Sequence, residues 1–291
     1  MLTSLSKMLN HLNINEMTLK YVSVNLLLTV FILVIMASEM AFAQEKKARF
    51  RKPNHGGVYV IAHRGVHNGI PENTLAAYQK AIDLGCDFVE IDIRRTKDGR
   101  FVSVHNAKVD AYVEGVTGKV NDFTLAELKQ MNIGKRVGPS WENELIPTFE
   151  EILQLCRGKI GIYLDLKEPN VKQLVEIIQR YEMERDIVWY VPASYMDVLK
   201  EIRINCHKCV PMPDPGPEQN ITKVVEQIRP LVLASDMSKL SESFVKTAHS
   251  NNAMVFVDEN DGTVTEWKKI LKWGTDGIQT DKPEELIEFL K

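Results

Sequence analysis

The chain has 291 residues, 44% of them hydrophobic, and 36 Lys and Arg against 39 Asp and Glu give a formal charge of -3. That is enough apolar material for one large folded domain or two small ones. No basic stripe interleaves with aromatics, which excludes a nucleic-acid partner, and nothing in the composition points to a protein partner.

Tyr21 to Ser38 is uncharged and dense in Leu, Val and Ile, and it leads to Ala41-Phe42-Ala43 before Gln44. The pattern predicts a signal peptide over 1–43, cut after Ala43, with Met17 as an alternative start. The competing reading keeps residues 21–38 as a membrane anchor, since their length is near the lower limit for a spanning helix. Both readings export the body of the protein, periplasmic or secreted, and the second holds it near a membrane. Residues 44–57 are basic and polar and read as a linker.

From 58 to 291 short apolar runs alternate with amphipathic segments. The predicted strands are Val58–Ala62, Phe88–Ile93, Ile160–Leu166, Ile187–Val191, Cys209–Met212, Leu231–Ala234, Met254–Val257 and Gly277–Thr280. The predicted helices are Thr74–Leu84, Leu125–Met131, Phe149–Cys156, Val171–Tyr181, Tyr195–Ile202, Ile221–Ile228, Glu242–Ser250 and Thr265–Trp273. Strand and helix in alternation predict an α/β fold with a parallel sheet, and eight strands fit a (β/α)8 TIM barrel. Phe101–Val104 follows Asp92 too closely for a parallel crossover. It is predicted as an extra antiparallel strand near the barrel mouth. Residues 106–147 form an insertion with a capping box at Thr124-x-x-Glu127.

Catalytic groups of such barrels gather at the C-terminal strand ends. His63 and Arg64 end the first run, and Glu90 and Asp92 end the second on one face. Asp165 ends the third. Carboxylates that face each other in a buried place need a cation, and hard oxygen donors favour Mg²⁺ or Ca²⁺. Phosphodiester cleavage also needs charge offset at the phosphate and two proton transfers. Arg64 and Lys167 supply the first. His63 and His105 supply the second, one as acid and one as base. Glu72 is a candidate for orienting a ligand, and Asn73 for fixing its loop. Trp189, Tyr190 and Tyr195 are candidates for the alcohol side of the pocket. Asp281 ends the last strand, either closing the barrel or meeting substrate. Cys206-His207-Lys208-Cys209 has C-x-x-C spacing, open to a redox pair, half a zinc site or, in an oxidising compartment, a Cys206–Cys209 disulfide. Cys86 and Cys156 read as packing residues.

The ordered series His63-Arg64-Gly65, Pro71-Glu72-Asn73-Thr74, Glu90-Ile91-Asp92, Val104-His105, Leu166-Lys167 and Thr280-Asp281-Lys282-Pro283 resembles the glycerophosphodiester phosphodiesterase family over nearly all of 58–291. The resemblance implies a barrel with an insertion after the second histidine. It implies His63 and His105 as the acid–base pair, Glu90, Asp92 and Asp165 as ligands of one divalent cation, and Arg64 and Lys167 on the phosphate. It implies a glycerophosphodiester or lysophospholipid headgroup as substrate and glycerol 3-phosphate plus an alcohol as products, through a cyclic phosphate. The chain departs from the family at Asn106, where Asp is usual, and at Asp165, where Glu is usual. A usual Trp-Thr-Val-Asn gives way to the neighbourhood of Phe256-Val257-Asp258-Glu259-Asn260, so Phe256 is expected to leave a roomier pocket wall. A lysophospholipase D-like or phosphoinositide-cleaving enzyme is the nearest alternative. A catalytically silent extracellular binding protein would show a distorted carboxylate triad. A sugar-processing barrel with paired carboxylates has no use for both histidines, Arg64 and Lys167.

Overall fold

The computed structural model describes residues 24–34, 52–259 and 262–291. The chain divides into two compact units, 1–51 and 52–291. In the first, residues 24–34 are helical with exposed side chains. The rest of the predicted leader and residues 44–51 of the linker lie outside the described residues. No helix among the described residues is long and apolar enough to cross a membrane.

In the second unit strands and helices alternate. They run β1 (Tyr59–Ala62), α1 (Leu75–Asp83), β2 (Phe88–Arg95), β3 (Phe101–Ser103), α2 (Leu125–Leu128), α3 (Phe149–Cys156), β4 (Gly161–Leu166), α4 (Val171–Arg180) and β5 (Ile187–Pro192). They continue through α5 (Met196–Asn205), β6 (Val210–Asp214), α6 (Ile221–Ile228), β7 (Val232–Asp236), α7 (Glu242–Ser250), β8 (Met254–Asp258), α8 (Val264–Trp273), β9 (Gly277–Thr280) and α9 (Pro283–Leu290). Every predicted strand is present, and α9 is an additional helix. Pro283 in its first turn supplies a preset φ where no N–H is needed.

The parallel ladder runs β6-β5-β4-β2-β1-β9-β8-β7, and β3 hangs antiparallel from the far end of β2. This is a nearly closed eight-stranded (β/α)8 barrel. No ladder joins β6 to β7, although the two lie side by side. Pro211 and Pro213 deprive β6 of donors at two alternate positions, which confines it to a sheet edge.

Alternation along each strand separates two cores. Outward residues such as Val60, Val89, Ile91, Leu164, Trp189, Leu233 and Val255 pack beneath the helices. Inward residues fill the barrel in layers. Near the N-terminal end, Tyr59, Phe88 and Phe256 meet ring to ring at 5.4–5.8 Å. Two glycines make room for them. A Cβ on Gly161 would lie 2.5 Å from the Phe88 ring, and one on Gly277 would lie 2.5 Å from the Phe256 ring. Asn54 and His55, within the predicted linker, are hydrogen-bonded to Gly85 and Asp87 just before β2.

The insertion has its own core, with Val104, Val109, Tyr112, Val120, Leu128 and Ile146 among its buried residues. Trp141 Nε1 donates to Gly69 O at 2.8 Å, fastening the insertion to the loop after β1.

The aromatic floor leaves no space for a methyl group at position 161. Gly161→Ala is expected to destabilise the protein by about 1–3 kcal/mol through overpacking. A urea midpoint unchanged from wild type would show that the floor is looser than described.

Candidate active site

The first wall of the site is a strained turn. Beyond β1, Arg64 has φ 52° and Gly65 φ 82°. Gly65 is required on two counts, since a Cβ there would also lie 2.7 Å from Ala77 Cβ on α1. A left-handed arginine costs about 1–2 kcal/mol, and three hydrogen bonds hold the turn in place. His63 N donates to Thr280 O at 3.1 Å, Arg64 N to Glu90 Oε2 at 2.8 Å, and Asn73 N to Arg64 O at 3.0 Å. The Arg64 side chain then reaches Glu72 Oε1 at 3.3 Å and lies 3.8 Å from Asp92 Oδ2, while its buried Nε has no hydrogen-bond partner.

Glu90 and Asp92 point inward from β2, and Asp92 stands beside Asp165 in the β2–β4 ladder. One oxygen from each of Glu90, Asp92 and Asp165 lies within 4.8 Å of the others. Burial, then the charges of Asp92 and Asp165, push Glu90 well above the usual carboxylate range. Burial would raise Asp92 too, but Lys167 and a hydrogen bond from Asn73 hold it low. Asp165 is raised because burial outweighs the help it receives from Lys167. Burial works against charge on Lys167, yet the two aspartates keep it protonated. Its Nζ lies 2.9 Å from Asp92 Oδ1 and 2.5 Å from Asp165 Oδ2. An ammonium thus sits where positive charge is demanded. The Lys167 ammonium meets Asp92 Oδ1 as an ion pair outside hydrogen-bond geometry. Three hard oxygen donors, two of them sharing one ammonium, fit a divalent cation.

A buried polar network aims Asp92. Asn73 Nδ2 donates to Asp92 Oδ2 at 2.9 Å. The Asn73 oxygen accepts from Tyr78 at 2.9 Å and from Ser103 at 2.8 Å. Asn73 therefore does more than shape its loop.

Both imidazoles are oriented through Nδ1. His63 Nδ1 donates to Asp281 Oδ1 at 2.6 Å, leaving Nε2 4.0 Å from Glu90 Oε2. Burial opposes charge on His63. The Asp281 hydrogen bond, with the charges of Glu90, Asp281 and Asp258, outweighs burial and lifts the ring to about 9. His105 Nδ1 donates to Asn106 Oδ1 at 3.0 Å, so the amide orients the ring without adding charge. Arg94 fixes the backbone there by donating to His105 O at 2.6 and 3.0 Å.

His63, Arg64, Glu90, Asp92, His105, Asp165 and Lys167 all line one cavity of about 200 Å³. Of the candidate pocket residues Tyr190 joins them, whereas Glu72, Trp189, Tyr195 and Phe256 do not. Trp189 is wholly buried on the outward face of β5, because strand alternation turns Tyr190 inward in its place. Phe256 faces inward but belongs to the aromatic floor below the cavity. Tyr195 is 62% exposed, on the 3₁₀ turn after β5. Glu72 acts on Arg64 from outside the lining. The remaining walls come from Tyr163, Tyr190, Asp214, Ser235, Asp236, Asp258 and Gln279. Asp214, Asp236 and Asp258 each end an apolar run, the same signal that marked Asp92 and Asp165. Cys206 and Cys209 form a disulfide at 1.99 Å, just before β6 and at the opposite end of that strand from Asp214.

The model of the glycerophosphoryl diester phosphodiesterase family matches residues 63–208. A glycerophosphodiester phosphodiesterase of Caldanaerobacter subterraneus subsp. tengcongensis is 30% identical over 247 residues, covering 80% of this chain and 97% of that protein. The crystal structure of glycerophosphodiester phosphodiesterase from Agrobacterium tumefaciens superposes with a TM-score of 0.72 at 19% identity, over 79% of this chain and 99% of that one. An Oleispira antarctica phosphodiesterase, solved in complex with the product sn-glycerol-3-phosphate, superposes with a TM-score of 0.68 at 23% identity, over 79% of this chain and 96% of that one.

A histidine whose pKa rises on folding stabilises the protein below its unfolded value of 6.5 and loses that contribution as pH climbs through about 9. In chelator, NMR titration should place the His63 ring near 9, and Asp281→Asn should bring it down. The urea midpoint should also fall less between pH 6.5 and 9 in Asp281→Asn than in wild type. Equal titration in the two proteins would remove Asp281 as the cause.

Proposed function

This chain belongs to the glycerophosphoryl diester phosphodiesterase family, and from that premise we propose that it hydrolyses glycerophosphodiesters to glycerol 3-phosphate and an alcohol with the help of one divalent cation. The observation that carries the proposal is the meeting of two oriented imidazoles, three carboxylates, Arg64 and Lys167 around one small cavity. A silent binding protein has no need of that convergence. The product found with the Oleispira antarctica relative supports the same substrate class.

Glu90, Asp92 and Asp165 would hold the cation, Mg²⁺ or Ca²⁺ by the hardness of their oxygens. When bound, it offsets charge on the non-bridging oxygens and acidifies the attacking hydroxyl. Arg64 contributes the buried Nε, which makes no hydrogen bond to the described residues, and Lys167 contributes an ammonium already at the site. The glycerol 2-hydroxyl is tethered to the phosphate and is the nearest nucleophile. His105, with Nδ1–H committed to Asn106, takes the hydroxyl proton at Nε2. The hydroxyl oxygen bonds to phosphorus as the bond to the alcohol oxygen breaks. His63, kept protonated by Asp281, delivers a proton from Nε2 to that leaving oxygen. The cyclic phosphate then opens with roles reversed: His63 takes a proton from water and His105 returns one to the 2-oxygen.

Export of the barrel unit, with cleavage after Ala43, belongs to the same proposal and rests on the pattern from Tyr21 to Ala43. N-terminal sequencing of the extracytoplasmic protein is expected to begin at Gln44, and an intact leader would instead support the anchor.

The test is release of glycerol 3-phosphate from a panel of glycerophosphodiesters after chelation and metal add-back. Chelation should abolish release, and Mg²⁺ or Ca²⁺ should restore it. His105→Ala should lower kcat by about 10²–10⁴-fold, the usual contribution of a general acid or base. Failure to cleave any diester with any divalent metal would refute the activity.

A further inference from the structure

The acid–base scheme takes its reacting groups from the ends of β1, β2, β3 and β4, uses Asp281 after β9 only to orient and charge His63, and gives the inward side chains of β8 and β9 no contact with substrate. There Asp258 and Gln279 are ladder partners, and both line the cavity. Gln279 is only 4% exposed. The Asp258 carboxylate beside it can only accept, which turns the NH₂ end of the amide that way and the oxygen away from it. The Oε1 end has no hydrogen-bond partner. A buried amide oxygen left unmet is unfavourable unless a ligand brings a donor.

The neighbouring groups show what kind of donor. Asp236, the adjacent carboxylate, is already satisfied by Ser238 and Lys239. Among the described residues no cation hydrogen-bonds Gln279 Oε1, and a neutral amide oxygen suits a neutral hydroxyl donor. In a glycerophosphodiester, glycerol carries two free hydroxyls. The one beside the phosphoester carbon is the nucleophile in the scheme above, which leaves the terminal one.

We propose that the terminal hydroxyl of glycerol donates to Gln279 Oε1, with Asp258 as the positioning residue that holds the amide, and that this contact selects glycerol diesters over diesters of diols lacking that hydroxyl. The inference rests on the glycerophosphodiesterase reading and specifies which part of the glycerol the far wall recognises. A site built to pair a hydroxyl rejects the analogue without it far more strongly than an apolar pocket rejects a missing methylene, because the protein group is then buried unpaired.

Two substrates isolate the contact. Glyceryl p-nitrophenyl phosphate and 2-hydroxypropyl p-nitrophenyl phosphate share the nucleophile and the leaving group and differ only in the terminal hydroxyl. With cation present, wild type should favour the glyceryl ester in kcat/KM by at least about tenfold. Gln279→Leu should bring the two values within about threefold of each other, and Asp258→Asn should narrow the ratio less. If Gln279→Leu fails to give a wild-type melting profile, Gln279→Met, closer in shape, is read in its place. A wild-type ratio near one, or a ratio that survives loss of the amide, overturns the inference while leaving the phosphodiesterase reading intact. Hydrolysis of neither ester, nor of any glycerophosphodiester, overturns that reading and this inference with it.

Discussion

Three carboxylates held within 4.8 Å of one another at the end of a barrel, two of them buried, repel unless positive charge lies among them. Most of what surrounds them answers that demand. Lys167 reaches back over Asp92 and Asp165, Arg64 leans in from the turn after β1, and Asn73 donates to the one aspartate that stays low. Even so, Glu90 and Asp165 stay raised, and the ammonium beside Asp92 Oδ1 is shared with Asp165. The protein's own cations go part of the way, and the divalent cation proposed above would complete the compensation.

The barrel makes this crowding possible by separating tasks along its strands. Outward side chains bind the helices, and inward side chains below the rim form a rigid aromatic floor. Only inward positions near the C-terminal strand ends are released for chemistry. The strained Arg64–Gly65 turn persists because Glu90, Thr280 and Asn73 overdetermine it. The same turn presents His63 to Asp281, which follows the neighbouring strand β9. Stability and function therefore meet at Glu90, which both anchors the turn and belongs to the carboxylate triad.

Much of this was legible in the chain. β-branched runs marked every barrel strand, and the short spacing after Asp92 identified β3 as antiparallel. The i,i+2 spacing of Glu90 and Asp92 put them on one face, and the residues carried over from the family resemblance did converge. What failed was depth and facing. Trp189 lies on the same outward face as Ile187 and Val191, which alternation from Tyr190 would have shown. Phe256 does face inward, but how far below the rim it sits depends on strand stagger, which no local pattern encodes. Asp214, Asp236 and Asp258 were overlooked because the predicted strands stopped one or two residues short of them. Asp281 was read as closing the barrel or meeting substrate, and its contact with His63 was missed because it arises only from the β1–β9 ladder, across most of the chain.

The most direct test of the account is where a cation sits. Crystals of the barrel unit soaked in Mn²⁺ and measured for anomalous scattering should show one strong peak bonded to Glu90, Asp92 and Asp165, with the Lys167 ammonium displaced from between the aspartates. A peak instead among Asp214, Asp236 and Asp258, or none at millimolar Mn²⁺ with Lys167 still clamped on both aspartates, would contradict it.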